Sequence, residues 1–322
     1  MKTRLPQRIL GALIALAGAA HAQDAYPARP IRLVVASAPG GLVDVITRLV
    51  AQKMSERLGQ PIVIDNQAGG GTIVGIKAVK SAPADGYTLL ATSNTITAVP
   101  AVRMDPGFDL LKDFAPIGPM VRSPWFMVVG PNQPDKSVPD FIARAKAKPG
   151  EFTFSSGGVG TTPHLAAESF LQRAGLKLLH VPYRGNGAAM PDVMSGRVSM
   201  MFEGVGSAAP KVRGGQLRPL GVSSTSRLAA FPDVPTIAEQ GLPGFSNYVT
   251  IVLLAPAGTP KDIVTRLSGA MQGAVASKEL RDRLENDGME PQKVSPDEFG
   301  QYLKRELADM SKLVNDLGIK KD

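Results

Sequence analysis

Residues 33–49 read "LVVASAPGGLVDVITRL": an apolar, β-branched run, a Pro39-Gly40-Gly41 turn, and then apolar residues at helical spacing. A strand that enters a helix through a glycine turn is the repeating unit of an α/β layer fold, and the glycines let the backbone come close to whatever the turn faces. Working outward, Ile31–Ser37 reads as a buried strand and Val43–Leu58 as a helix stopped by Gly59. "PIVIDN" (61–66) is the next strand, "GGGTIVGIKAVKSA" (69–82) opens a helix from glycine, and "DGYTLLATS" (85–93) returns as a third strand. These three units make half of a doubly wound lobe.

A second series starts near Trp125. "WFMVVGP" is a strand, "SVPDFIARAKA" is a helix with Ser137 as its N-cap, and "FTFSSGGVGTTPHLAAESFLQRAG" repeats the strand, glycine loop and helix. "LKLLHVPYRG", a helix around Gly187 to Ser195, "RVSMMFEG" and "LRPLGVSS" continue this second lobe. "YVTIVLLAPAGTP" leads out of it, and helices starting at Pro260, Lys278 and Pro296 finish the chain. The two glycine loops, Ala38 to Gly41 and Ser156 to Thr162, each sit between a strand and a helix. In open α/β sheets ligands lie beyond the carboxyl ends of the strands, so a cleft with a helix N-terminus aimed in from each lobe is expected.

The chain of 322 residues, 43% hydrophobic, is long enough for two lobes. Its first 22 residues differ from the rest. Lys2, Arg4 and Arg8 precede "ILGALIALAGAA" and then Ala20, His21 and Ala22, the order of a secretory signal cleaved after Ala22. The apolar run is short of the about 20 residues that a membrane anchor needs. Cleavage removes three cations and no acid, lowering the formal charge from +8 to +5. The mature protein is then mildly basic, which favours the approach of small anions. Its cations are scattered among acids without interleaved aromatics, which excludes a nucleic-acid reader. There is no cysteine, hence no disulfide and no lipid attached through one; a periplasm-like compartment is the simplest destination.

Glycine and the free N–H groups of a helix's first turn hold a carboxylate or phosphate without any charged side chain. The "APGG" turn serves that purpose or only links strand to helix. "SSGGVGTTPH" is the richer loop, since Ser155, Ser156, Thr161 and Thr162 add hydroxyls to the backbone donors. "GGGTIVG" (69–75) has the wrong spacing for a dinucleotide fingerprint, and no Gly-Lys-Ser/Thr P-loop is present. Ser156 lacks the Gly-x-Ser-x-Gly elbow of an acyl hydrolase, because Phe154 stands at the first glycine position. With His21 removed, only His164 and His180 remain: His164 lines the cleft or packs and caps, while His180 ends an apolar strand and reads as a core residue. Two separated histidines make a weak metal site, so neither metal nor cofactor is expected. Asp44 sits in a first helical turn, where an acid suits the dipole. Asp192 and Glu203 reach the cleft or pair locally; Glu203, at a strand end, is placed to receive an amino group of a ligand. Arg184, between Tyr183 and Gly185, either pairs with a substrate carboxylate or stays in solvent.

Taken as a series, "YPARPIRLVVASAPGGLVDVITRLVAQKMSERLGQPIVIDNQAGGGTIVG", "PADGYTLL", "GVGTTPHLAAESF", "HVPYRGNGAAMPDVMSGRVSMMF", "FPDVPTIAEQGLPGF" and "APAGTPKDIV" resemble the Bug family, periplasmic solute receptors of tripartite tricarboxylate transporters. The likeness covers nearly the whole mature chain. It implies a periplasmic-binding-protein type II clamshell: α/β, two doubly wound lobes joined by two crossover strands, residues 23–123 plus 246–322 forming lobe 1 and 124–245 lobe 2. It also implies an exported, non-enzymatic receptor that closes on a small carboxylate, a dicarboxylate by preference, and hands it to membrane permease subunits. Carried onto this chain, first-lobe contacts fall on Ala38, Pro39, Gly40 and Gly41, with Ser93 and Asn94. Second-lobe contacts fall on Ser156, Gly157, Gly160, Thr161 and Thr162, with Tyr183, Arg184 and Gly185 close by. The chain departs from the family pattern at Leu42 and Val43 after the double glycine, at "DNQAGGG" (65–71) and at "FEGVG" (202–206); Leu42 narrows the cleft and Glu203 adds charge to it. Two other readings stand beside this one: an exported serine hydrolase using Ser156 and His164, and the receptor of a sensor kinase. A clamshell that must open is most simply a monomer.

Overall fold

The computed structural model describes residues 26–321. The signal sequence read at residues 1–22 lies outside them. The first half of the fold runs β1 (Ile31–Val35), α1 (Leu42–Leu58), β2 (Ile62–Asn66), α2 (Ile73–Lys80), β3 (Thr88–Ser93), α3 (Thr95–Val102) and α4 (Leu110–Asp113). A 16-residue strand, β4 (Phe114–Val129), then carries the chain into the second half. There follow α5 (Val138–Ala147), β5 (Thr153–Ser156), α6 (Thr162–Ala174), β6 (Leu179–Pro182), α7 (Asn186–Met194), β7 (Met200–Gly204), α8 (Val205–Arg213) and β8 (Arg218–Val222). The chain returns through β9 (Tyr248–Pro256) to α9 (Lys261–Val275), α10 (Lys278–Asn286), β10 (Glu290–Pro291) and α11 (Pro296–Asp316).

The strand order is β2-β1-β3-β9-β4-β7-β5-β6, with β8 and β10 also paired to β4. β2, β1 and β3 are parallel to one another, as are β7, β5 and β6, while β9 and β4 run antiparallel to their neighbours. One strand therefore serves both halves: Phe114–Pro124 of β4 pairs with β9, and Trp125–Val129 pairs with β7 and β8. The chain passes back beside it. Ser223 N–H donates to Trp125 O (2.9 Å), Trp125 N–H donates to Ser223 Oγ (2.8 Å), and Asn247 N–H donates to Ser223 O (3.0 Å). These two side-by-side passages are the crossings that join the lobes.

Each half buries its own apolar layers. Ile46, Val50, Met54 and Leu58 recur at four-residue steps along α1 and are buried, and Gly59 at φ +70° ends the helix. Phe170, Phe202 and Phe245 pack ring against ring at centroid separations of 5.9–6.3 Å in the second half. Among the described residues no helix is long and apolar enough to cross a membrane.

The structure adds helices that the sequence reading did not find. α3 and α8 contain Pro100 and Pro210, and an internal proline costs a helix about 3 kcal/mol. In α3 seven of the eight residues are buried, and that burial of apolar surface offsets the lost backbone bond. β4 likewise begins 11 residues before the strand read from Trp125. Pro116 and Pro119 sit at its two register shifts, where a strand tolerates residues that cannot donate.

Candidate ligand cleft between the lobes

The first-lobe wall starts from β1. Asp44 is 4% exposed, and its carboxylate draws the Pro39–Gly41 turn onto the helix: Oδ2 accepts from Gly40 N–H (2.9 Å), and Oδ1 accepts from Arg48 Nε and Asn66 Nδ2 (both 2.9 Å). Burial opposes the charge on Asp44, but the bonds from Arg48, Gly40 and Asn66 prevail and hold its pKa below the usual range. Asn66 also donates to Ser37 O (3.1 Å), so β2 braces the same turn. Gly40 requires its glycine, at φ +79°.

On the second-lobe wall, the loop after β5 is tied to itself. Ser156 Oγ donates to Gly158 O (3.0 Å) and accepts from Gly158 N–H (3.1 Å), Thr161 Oγ1 donates to Gly158 O (2.7 Å), and Gly160 N–H donates to His164 Nδ1 (3.2 Å). Ser156 Oγ also lies 2.7 Å from His180 Nε2. His164, His180 and the Phe154 ring form a stack. Burial and the neighbouring His164 push the His180 pKa down to about 3, which leaves a weakly basic, neutral imidazole. Ser156 is thus a loop staple bonded to His180, not to the His164 that the hydrolase reading paired with it.

The two walls touch. A Cβ added to Gly187 would stand 2.4 Å from Pro39 O, one on Gly185 2.8 Å from Ala38 N, and one on Gly71 2.9 Å from Val159 O. Backbone meets backbone across the cleft, which only glycine allows. Hydrogen bonds also join the walls, two of them at helix N-termini, besides the peripheral Arg213–Asp287 (2.8 Å) and Gln172–Asp316 O (2.9 Å) contacts. Thr162 N–H, at the start of α6, donates to Thr95 Oγ1 (3.0 Å), whose hydroxyl also meets Thr162 Oγ1 (3.1 Å). Leu42 N–H, at the start of α1, donates to the Glu203 carboxylate. Each lobe supplies the acceptor for the other lobe's helix.

About 50 Å³ open to water centres remains between the walls, room for a few water molecules. This is a shut cleft. Of the residues singled out in the sequence, Gly41, Ser93, Gly157, Thr161, Thr162, Arg184, Gly185 and Glu203 line it. Ala38, Pro39, Gly40, Ser156 and Gly160 shape the loops behind that lining. Asn94 turns away: Nδ2 donates to Glu306 Oε1 (2.7 Å) and Oδ1 accepts from Thr250 N–H (3.2 Å). His164 belongs to the stacked rings. Tyr183 donates to the Asp192 carboxylate, and burial followed by that bond pushes its pKa up to about 12.

Leu42 lines the space as the sequence reading expected, whereas Ser37, Thr72, Thr95, Trp125 and Asn186, which also line it, were missed. Thr95 carried a signal, a hydroxyl two residues past Ser93 at a strand end. Asn186 carried another, a polar amide directly after the Arg184-Gly185 pair. Glu203 is fully buried, bonded to Ser207 Oγ and to Asn186 Nδ2 (2.8 Å); burial raises its pKa while those bonds and the more distant Lys211 work against the rise. Among the described residues, no group of three or more His, Asp or Glu is placed to hold a metal ion.

Two α/β lobes, two crossings and glycine-lined helix termini facing one cleft define a ligand-trapping receptor of the periplasmic-binding-protein class. Residues 46–319 match the tripartite tricarboxylate transporter family receptor, TctC, and the chain belongs to that family. It is 37% identical to a protein encoded between tcbD and tcbE in Pseudomonas sp. strain P51, over 90% of this chain and 87% of that one. It is 34% identical to BugT of Bordetella pertussis, over 97% of each. Among solved structures, an R. palustris protein with adipate superposes with a TM-score of 0.89 at 32% identity, covering 92% of this chain and all of that one. MatC of Rhodopseudomonas palustris with bound malate gives 0.84 at 28% identity, covering 90% and 100%.

Proposed function

We propose that this receptor captures a small organic carboxylate, with dicarboxylates the preferred class, by closing its lobes around it. The observation that carries the reading is the convergence of two helix N-termini, α1 from one lobe and α6 from the other, on one glycine-walled cleft. Gly41, Ser93, Thr95, Thr161, Thr162 and Arg184 are the proposed ligand contacts. Relatives solved with adipate and with malate support the dicarboxylate preference. Residues 23–123 with 246–322 form lobe 1 and residues 124–245 lobe 2; the β4 and Asn247 passages act as the hinge. The mature protein starts after Ala22, acts in the periplasm as a monomer without catalysing a reaction, and presents its closed form to membrane permease subunits. Ligand binding stabilises closure by its difference in affinity for the two forms.

A thermal-shift screen of mature protein, refolded to strip bound ligand, against di- and tricarboxylates, amino acids and aromatic acids tests this. A saturable rise in Tm with one or more acids is expected. No response to any acid would overturn the reading.

A further inference from the structure

We propose that the ligand carries a nitrogen donor, a protonated amine or a primary amide, beside its carboxylate, and that Glu203 and Asn186 receive it. The inference rests on the receptor reading above and names the chemistry at one end of the same cleft.

A carboxylate is the costliest group to bury without a cation, and Glu203 is fully buried on the wall of the cleft. Its oxygens accept from Ser207 Oγ, Asn186 Nδ2 and Leu42 N–H, all neutral donors, and no Lys or Arg bonds to it. Asn186 is committed in a telling direction. Its Nδ2 donates to Phe202 O and to Glu203 Oε2 (both 2.8 Å), which fixes the amide and turns Oδ1 away from both; that Oδ1 is buried and has no partner. Two acceptors, one charged and one vacant, therefore border the same space. The opposite charge stands two residues earlier in the chain: Arg184 lines the cleft and makes no side-chain hydrogen bond or ion pair among the described residues.

A cleft with a free guanidinium at one point and a buried carboxylate plus an open amide oxygen at another matches a ligand that is anionic at one end and an N–H donor at the other. A plain dicarboxylate meets like charge at Glu203.

The experiment is calorimetric titration of stripped mature protein with matched acids: succinate against aspartate and succinamate, and glutarate against glutamate. The amine- or amide-bearing acid is expected to bind at least about ten-fold tighter than its unsubstituted partner, the size of one hydrogen bond to a charged group. The aspartate and succinamate arms separate amine from amide. Glu203→Gln should remove most of that preference, and Asn186→Ala, which deletes the vacant oxygen, should reduce it; the wild-type comparison stands even where a variant fails to fold. Equal or tighter binding of the unsubstituted acids to the wild type would overturn the inference and leave the receptor reading in place. Absence of binding by every acid in both sets would overturn the inference, and the receptor reading falls with it only when the wider acid screen is silent too.

Discussion

At the residue scale, closure depends on atoms that are missing. Gly187 lies in the first turn of α7, where alanine is a better helix former, yet a methyl group there would collide with Pro39 O and Gly41 N of the other lobe. The collision exists only when the lobes meet. Gly187→Ala should therefore leave the Tm of ligand-free protein unchanged or slightly raised while weakening carboxylate binding by about ten-fold or more, since overpacking costs about 1–3 kcal/mol. Calorimetry with differential scanning on the same sample checks both halves of that expectation. Its partners Pro39 and Gly41 were read as site residues in the sequence, but Gly187 was not. A glycine inside a helical stretch carries no mark of what approaches it in space, whereas the loop glycines 40, 41, 157 and 160 were legible because a turn needs them.

At the scale of elements, β5 and β6 are stitched by the Ser156–His180 bond and by the stacked rings of Phe154, His180 and His164. The neutral imidazole is the form that the folded state favours. Below pH about 6.5 the unfolded chain takes up a proton that folded His180 refuses until about pH 3, so the contribution of this site to stability is lost as pH falls through that window. His180→Gln should flatten the fall of Tm between pH 6.5 and 4 relative to wild type; an identical pH profile in the variant would count against this assignment. The strand–glycine–helix units around β1, β2 and β5 could be read directly, because apolar runs, a glycine turn and a 3.6-residue period coincide there. α3, α8 and the first part of β4 could not, because Pro100, Pro210, Pro116 and Pro119 are local breakers that burial and strand bulges overrule in the fold. Part of the cleft lining was hidden for a related reason: Ser37, Thr72, Thr95, Trp125 and Asn186 come from five separate stretches that only the folded lobes bring to one cleft.

For the whole molecule, the two cross-lobe caps make closure a balance between states. Thr95 Oγ1 accepts from the α6 N-terminus only when the lobes are together, so Thr95→Val leaves Thr162 N–H without its acceptor in the closed form. A buried donor left unpaired costs about 1–3 kcal/mol, which predicts a fall in affinity of about ten-fold with the hinge and cores intact. A binding isotherm unchanged by this substitution would show that the cap does not contribute to closure. The most direct test of the account as a whole is small-angle X-ray scattering of stripped mature protein before and after saturation with succinate, malate, glutarate, adipate, aspartate or glutamate. The account predicts that at least one of these acids contracts the particle to the radius of gyration calculated from the closed structure. A scattering profile that none of them changes, even for an acid that raises the Tm, would contradict the claim that this receptor works by closing on its ligand.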